Sequence, residues 1–312
     1  MVKSRVVSPF ESCGVEYSHS GSPEMKVVST STYKSMTFSY SGGPITCNRA
    51  VKDREEWLKT NQWDTISATR HVPLDVKYVV VDVETHDWNA TKPGDYSTGR
   101  VVEMAWMLVD SKDDRIELKQ YLIKPYGYEE ISNKAVDLHG ITTETAISKG
   151  TEARLVFREF VSILQTLPPD GFVIAYNMEH EHTVFMNSFN IDQIAVWVSV
   201  PKCDTYPVSL WKHLPDDAAV YKKTYKSRNY GTTLSNLHKI MYPSQKDSSY
   251  VVHFASDDVK KTWDIFRHYK QHASYHELEW KRTFSVPSSK YTGIKVNSNI
   301  LPMNRGRWKV SL

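Results

Sequence analysis

Two carboxylates, Asp82 and Glu84, stand two positions apart inside the apolar run YVVVDVET at 78–85. In an extended strand alternate side chains share a face, so both carboxylates point one way while Val81 and Val83 point the other. Like charges on one face of an apolar strand repel each other, and a shared divalent cation that prefers oxygen ligands relieves that repulsion. The spacing alone is common: Asp53-Arg54-Glu55 repeats it in a charged run, where it is assigned no function.

Further along, His253 and Asp258 lie five apart in HFASDD, just before and within the first turn of a long helical pattern. An acid in that turn is favoured by the helix dipole in any case. Asn177 and Glu181 follow the apolar run GFVIAY in AYNMEHEH, a strand-to-helix junction at which polar residues are common. His180 and His182 flank Glu181 and suggest zinc, although a third ligand at helical spacing is missing.

These residues need elements to position them. YVVVDVET, VVEMAWMLVD and IELKQYLIKP read as three consecutive strands with antiparallel neighbours. SNKAVDLHG and TEARLVFREFVSILQTL read as helices, the second ended by the Pro168–Gly171 turn. GFVIAY is a short strand, EHEHTVFMNSF a helix, WVSVPKCDT a strand fragment and TTLSNLHKIM a helix. The last helix, FASDDVKKTWDIFRHYKQHA, has Ala255, Val259, Trp263, Phe266 and Tyr269 or Lys270 near one face. The predicted order is β-β-β-α-α-β-α-β-α-α.

Asp-x-Glu on a first strand, then LHGIT at 138–142, then AYN with an acid four residues on, then CDT, then His-x-Ala-x-x-Asp followed by Thr262, resembles the DEDD exonucleases. The histidine places the resemblance with the variant that includes bacterial proofreading subunits and ribonuclease T, over about residues 78–272. It implies an α/β, ribonuclease H-like fold: a five-stranded mixed sheet flanked by helices, its first three strands antiparallel. It also implies a 3′–5′ exonuclease that hydrolyses phosphodiester bonds at the end of single-stranded DNA or RNA and releases nucleoside 5′-monophosphates. By resemblance, Asp82, Glu84 and Asp258 hold one Mg²⁺ or Mn²⁺ ion, Asp82 bridges to a second, and the second-motif acid contributes through a water. His253 is then the general base. Carboxylates are the hard ligands such ions prefer, and an imidazole can accept a water's proton near neutral pH.

One position departs from the family. Its second motif supplies Asp, whereas the residue in register here is Glu181, as in coronavirus proofreading exonucleases, with Glu179 the out-of-register second choice. Thr85 follows the metal pair and Asn177 precedes the second acid; both are candidate substrate contacts. His139 belongs to the segment that, by resemblance, packs near the 3′-terminal sugar and base, and it equally suits a helix end before Gly140. Lys222, Lys223, Lys226 and Arg228, interleaved with Tyr221, Tyr225 and Tyr230, suit either a phosphate-tracking, base-stacking surface or a solvated loop. The alternative to an enzyme is a nucleic-acid-binding protein that keeps the fold with weakened catalysis; a zinc hydrolase built on His180 and His182 is a third reading.

Composition sets outer bounds. In 312 residues, 40% are hydrophobic and 24% charged, with 39 basic and 36 acidic side chains, which excludes a disordered or fibrous chain. A formal charge of +3 requires that any nucleic acid be held by a local basic patch. Three scattered cysteines form neither a disulfide framework nor a zinc ribbon and fit a reducing compartment, cytoplasm or nucleus. No run approaches the roughly 18 apolar residues of a membrane span. The expected organisation is a loosely packed extension over 1–72, an exonuclease domain over 73–275 and a basic tail over 276–312. Protein partners are not readable.

Overall fold

The computed structural model describes residues 47–66, 75–87, 97–215, 233–243 and 253–281. Its centre is a five-stranded mixed sheet in the order β3-β2-β1-β4-β5. The strands are β1 (Val76–Thr85), β2 (Val101–Asp110), β3 (Arg115–Leu122), β4 (Phe172–Ala175) and β5 (Lys202–Asp204). β1–β2 and β2–β3 pair antiparallel, β1–β4 and β4–β5 parallel. Both faces are covered by helices, so the fold is α/β with the ribonuclease H-like sheet expected above.

β1 and β2 are buried on both faces, which is why they read as nearly continuous β-branched and apolar runs. On one face Val79, Val81 and Val83 join Trp106, Phe160 and Phe185. On the other, Tyr78 and Val80 join Ala105 and Met107 against Val259, Trp263 and Phe266. Asp82 and Glu84 continue this second face towards the C-terminal end of β1.

The α-helices among the described residues are α1 (Cys47–Trp57), α2 (Asn133–His139), α3 (Thr143–Lys149), α4 (Ala153–Leu164), α5 (Met178–Ser188), α6 (Ile191–Ser199), α7 (Leu234–Met241), α8 (Ala255–His272) and α9 (Tyr275–Leu278). The Ser132 side chain caps α2 by accepting from Ala135 N–H, and left-handed Gly140 (φ 68°) ends it. α8 buries Ala255, Val259, Trp263, Phe266 and Tyr269, which resolves the last face position in favour of Tyr269 over exposed Lys270.

Two local readings are corrected. Trp197–Ser199, read as part of a strand, are the end of α6; the strand is only Lys202–Asp204. Bulky and β-branched WVSV favours strand, but the Asn190–Gln193 capping box starts a helix upstream, and Trp197 is buried against Phe185, 4.8 Å between ring centroids. Between the two helices expected there lies a further one, α3, started by the Thr142 cap. At the N-terminal side, residues 47–66 lie within the stretch expected to be loosely packed, yet α1 buries Ala50, Arg54 and Trp57. No helix among the described residues is long and apolar enough to cross a membrane.

Candidate active site

The site lies at the C-terminal ends of β1 and β4, where β1 leads towards β2 on one side and β4 is reached on the other. Such a switch point leaves a crevice beyond the strand ends. β1 contributes Asp82, which is partly exposed, and Glu84, which is 8% exposed. α8 brings Asp258 in its first turn, and His253 precedes that helix. One ligand atom each from Glu84, His253 and Asp258 lie within 4.8 Å of one another, the group of three that could share an ion among the described residues. His253 Nδ1 is 3.6 Å from Asp258 Oδ2, while Asp258 Oδ1 accepts from Lys261 Nζ at 3.1 Å. Lys261 is also tied to Ser235 Oγ of α7, 3.0 Å away.

α5 brings the fourth carboxylate. Glu181 is 1% exposed, whereas Glu179 is half-buried, so the in-register residue is the one enclosed with the others. His180 Nδ1 lies 3.2 Å from Glu181 Oε1; Oε2 is buried with no hydrogen-bond partner among the described residues. An acceptor left in that state is costly unless a cation or water meets it.

The electrostatics agree with the geometry. Burial, then repulsion from Asp258, Glu84, Glu181 and Glu103, pushes the Asp82 carboxyl well above the usual range. Burial and the charges of Asp258 and Glu103 do the same to Glu84, against a pull from Arg54. Burial raises Glu181 too, with His180 opposing it. Hard oxygen donors gathered so that neighbouring charges destabilise Asp82 and Glu84, with an orphaned atom on Glu181, fit a divalent cation of the Mg²⁺ or Mn²⁺ type.

The start of α5 is held by Asp204, the acid of the CDT segment. Asp204 Oδ1 accepts from Asn177 N–H at 3.0 Å and from Tyr206 N–H at 2.9 Å. Burial pushes its carboxyl up to about 6, and hydrogen bonds from the Tyr206, Asn177 and Met178 main chain pull the other way. Asn177 adopts a left-handed conformation (φ 69°), uncommon for a residue with a Cβ, and its side chain makes no cap bond. Asp204 therefore fixes the turn that delivers Glu181.

The remaining candidates divide. Thr85 lies beside Glu84 and is 6% exposed; Asn177 sits half-buried at the start of α5. His139 is 1% exposed and its ring is engaged by main chain: Nε2 donates to Thr85 O (3.1 Å) and Nδ1 accepts from Ile141 N–H (3.1 Å). Burial and Arg54 lower its pKa to about 3, so the ring is neutral. Its place is that of a tie between β1 and the end of α2. His182 faces the core, Nδ1 accepting from Trp197 Nε1 at 3.1 Å, and does not join His180 around a common ion. The basic-aromatic stretch at 221–230 and the tail beyond 281 lie outside the described residues.

No protein-family model matches the chain, and no curated protein matches it. Among solved structures it is similar to Escherichia coli exonuclease I in complex with a dA16 oligonucleotide: 19% identity and a TM-score of 0.44, over 63% of this chain and 41% of that one. The complex of the same enzyme with a dT13 oligonucleotide gives 19% and 0.45, over 62% and 41%. A product-bound exonuclease I gives 20% and 0.44, over 63% and 44%. The chain thus spans about two fifths of the length of these proteins. Likeness at that level bears on neither substrate nor mechanism, which have to come from the side chains.

Sequence reasoning missed Glu103 and Arg54. Glu103, fully buried on β2, pairs in register with Glu84 and takes a forked ion pair from Arg54 of α1, at 2.8 and 3.2 Å. A signal existed for the first, since a single Glu inside VVEMAWMLVD demands a buried partner.

Proposed function

We propose that the protein is a metal-dependent 3′–5′ exonuclease acting on single-stranded DNA or RNA and releasing nucleoside 5′-monophosphates. The observation that carries this reading is the convergence of Asp82, Glu84, Glu181 and Asp258 from three elements, with His253 on their open side, 41% exposed. A binding protein has no need of four clustered carboxylates beside a partly exposed imidazole.

Asp82, Glu84, Asp258 and Glu181 would hold two Mg²⁺ or Mn²⁺ ions. Such ions, when bound, neutralise the phosphate, acidify a water and stabilise the departing 3′ oxygen. His253 takes the water's proton on an imidazole nitrogen, and its exposure lets that proton pass to solvent. Asp258 Oδ2 stands 3.6 Å from Nδ1 of that ring. Thr85 and Asn177, at the two strand ends beside the carboxylates, would meet the terminal nucleotide. His139 and Asp204 hold the strand and helix ends that carry these groups.

Incubating 3′- and 5′-labelled single-stranded DNA and RNA with Mn²⁺, and with EDTA, tests the reading. The expected result is a metal-dependent ladder that shortens from the 3′ end. Tight binding to single strands with no cleavage under any divalent metal would replace it by the nucleic-acid-binding reading.

A further inference from the structure

Arg54 lies on α1, outside the stretch that carries the family resemblance, and is 1% exposed. A guanidinium so deeply buried requires acceptors. Nη1 donates to Glu103 Oε1 at 2.8 Å and Nη2 to Glu103 Oε2 at 3.2 Å. Nε donates to the His139 carbonyl and Nη2 to the His253 carbonyl, each at 2.8 Å. One side chain thus ties β2, the end of α2 and the segment that leads into α8.

The packing around it makes the same connection. Trp57 stacks on Phe254 with 4.9 Å between ring centroids, and the guanidinium lies 4.4 Å from the Phe254 ring. A Cβ on Gly140 would stand 2.3 Å from the Ala50 carbonyl oxygen, so α1 lies directly against the end of α2. His253 is held through its main chain on both sides: its N–H donates to Leu138 O at 2.8 Å and its carbonyl accepts from Arg54. The ring stays partly exposed while the backbone beneath it is fixed.

Glu103 also accepts from Trp63 Nε1, Gln120 Nε2 and Ala255 N–H. Opposite Glu84 on the same face, an unbound carboxylate there would be a fifth competitor for cations. Arg54 and these donors occupy it.

We propose that Arg54 is a positioning residue for the hydrolysis: its fork fixes the main chain of His253 relative to Glu84 and Asp258 and withholds Glu103 from the metal ligands. Its effect on turnover rests on the nuclease reading; its effect on His253 does not.

The test uses the full chain and two variants. Arg54→Lys keeps a charge towards Glu103 but lacks a planar fork that reaches three acceptors. Should it fold poorly, Arg54→Gln combined with Glu103→Gln removes both charges together. Either variant is expected to lower kcat with Mn²⁺ by about 10- to 100-fold, the scale of a misplaced catalytic group, with KM near wild type. In a His253→Ala background the same change should add little further loss, because the group it positions is gone. Losses that multiply in that background, or an unchanged kcat, would overturn the proposal. Independently of activity, the His253 imidazole resonances of the metal-free protein should shift in the variant while those of exposed His276 stay in place. A His253 signal that does not move overturns the assignment. If the wild type cleaves nothing, the nuclease reading falls and this spectrum alone decides the role of Arg54.

Discussion

Glu84 of β1 and Glu103 of β2 are paired in register, so two carboxylates occupy adjacent positions on one face of the sheet. They play opposite parts. Glu103 is compensated by the forked Arg54 pair and three further donors, whereas burial and its neighbours push the Glu84 carboxyl well above its usual range. Removing one therefore breaks a satisfied network, and removing the other, or its partner Asp82, relieves repulsion.

That contrast gives a first prediction. Glu103→Gln leaves a buried guanidinium against an amide and should cost about 3 kcal/mol of stability, the lower end for breaking a buried pair, since Arg54 retains two carbonyl acceptors. Asp82→Asn should leave urea stability equal to or above wild type in the absence of metal, while abolishing hydrolysis. Equal destabilisation by both substitutions would show that the two carboxylates are not distinct in role.

Metal should stabilise the fold with a definite pH dependence. The Asp82 and Glu84 carboxyls are raised in the folded state, so the metal-free protein loses stability as pH climbs from the ordinary carboxylate range through the raised values. A cation competes with those protons and relieves the repulsion that replaces them. Mn²⁺ at a fixed concentration of a hundred times its Kd at pH 8 should add about 2.7 kcal/mol at pH 8 and less at pH 5.5. Thermal shifts at the two pH values check it, a larger gain at the lower pH being the contrary outcome.

Much of this site was legible from the chain because its signals are local. Period-two alternation placed Asp82 and Glu84 on one face, and helical spacing placed Asp258 one turn into α8. Glu181 is reached only through the resemblance, as the acid four residues after Asn177 in the second motif. Arg54 left no such signal: its acceptors stand 85, 49 and 199 residues away, and its neighbours Asp53 and Glu55 look like any charged run. α6 was misread for a related reason, since strand propensity at WVSV is local whereas the burial of Trp197 against α5 is tertiary.

α1 should also be felt through Gly140. Its left-handed backbone (φ 68°) disfavours a side chain, and a Cβ would stand 2.3 Å from Ala50 O and 2.8 Å from Arg54 Cβ. Gly140→Ala is expected to destabilise by about 2 kcal/mol or more, combining the left-handed penalty with displacement of α1. Urea unfolding measures it, and a wild-type midpoint would mean that α1 does not rest on this turn.

Glu181 is the position at which the chain departs from the pattern it resembles, and its surroundings allow a sharp test. Glu181 Oε2 is buried without a hydrogen-bond partner among the described residues, while Oε1 faces His180 Nδ1 at 3.2 Å. Glu181→Gln keeps the size and the contact with His180 but removes the charge a dication needs, so most activity should be lost. Glu181→Asp keeps the charge and withdraws the carboxylate by about one methylene, over 1 Å along the side chain. The turn that presents it is fixed by Asp204 holding the Asn177 main chain, so α5 is not free to follow. Partial activity is therefore expected of Asp and almost none of Gln, measured as kcat with saturating Mn²⁺. Full activity in Glu181→Gln would transfer the role to Glu179 or to no residue on α5.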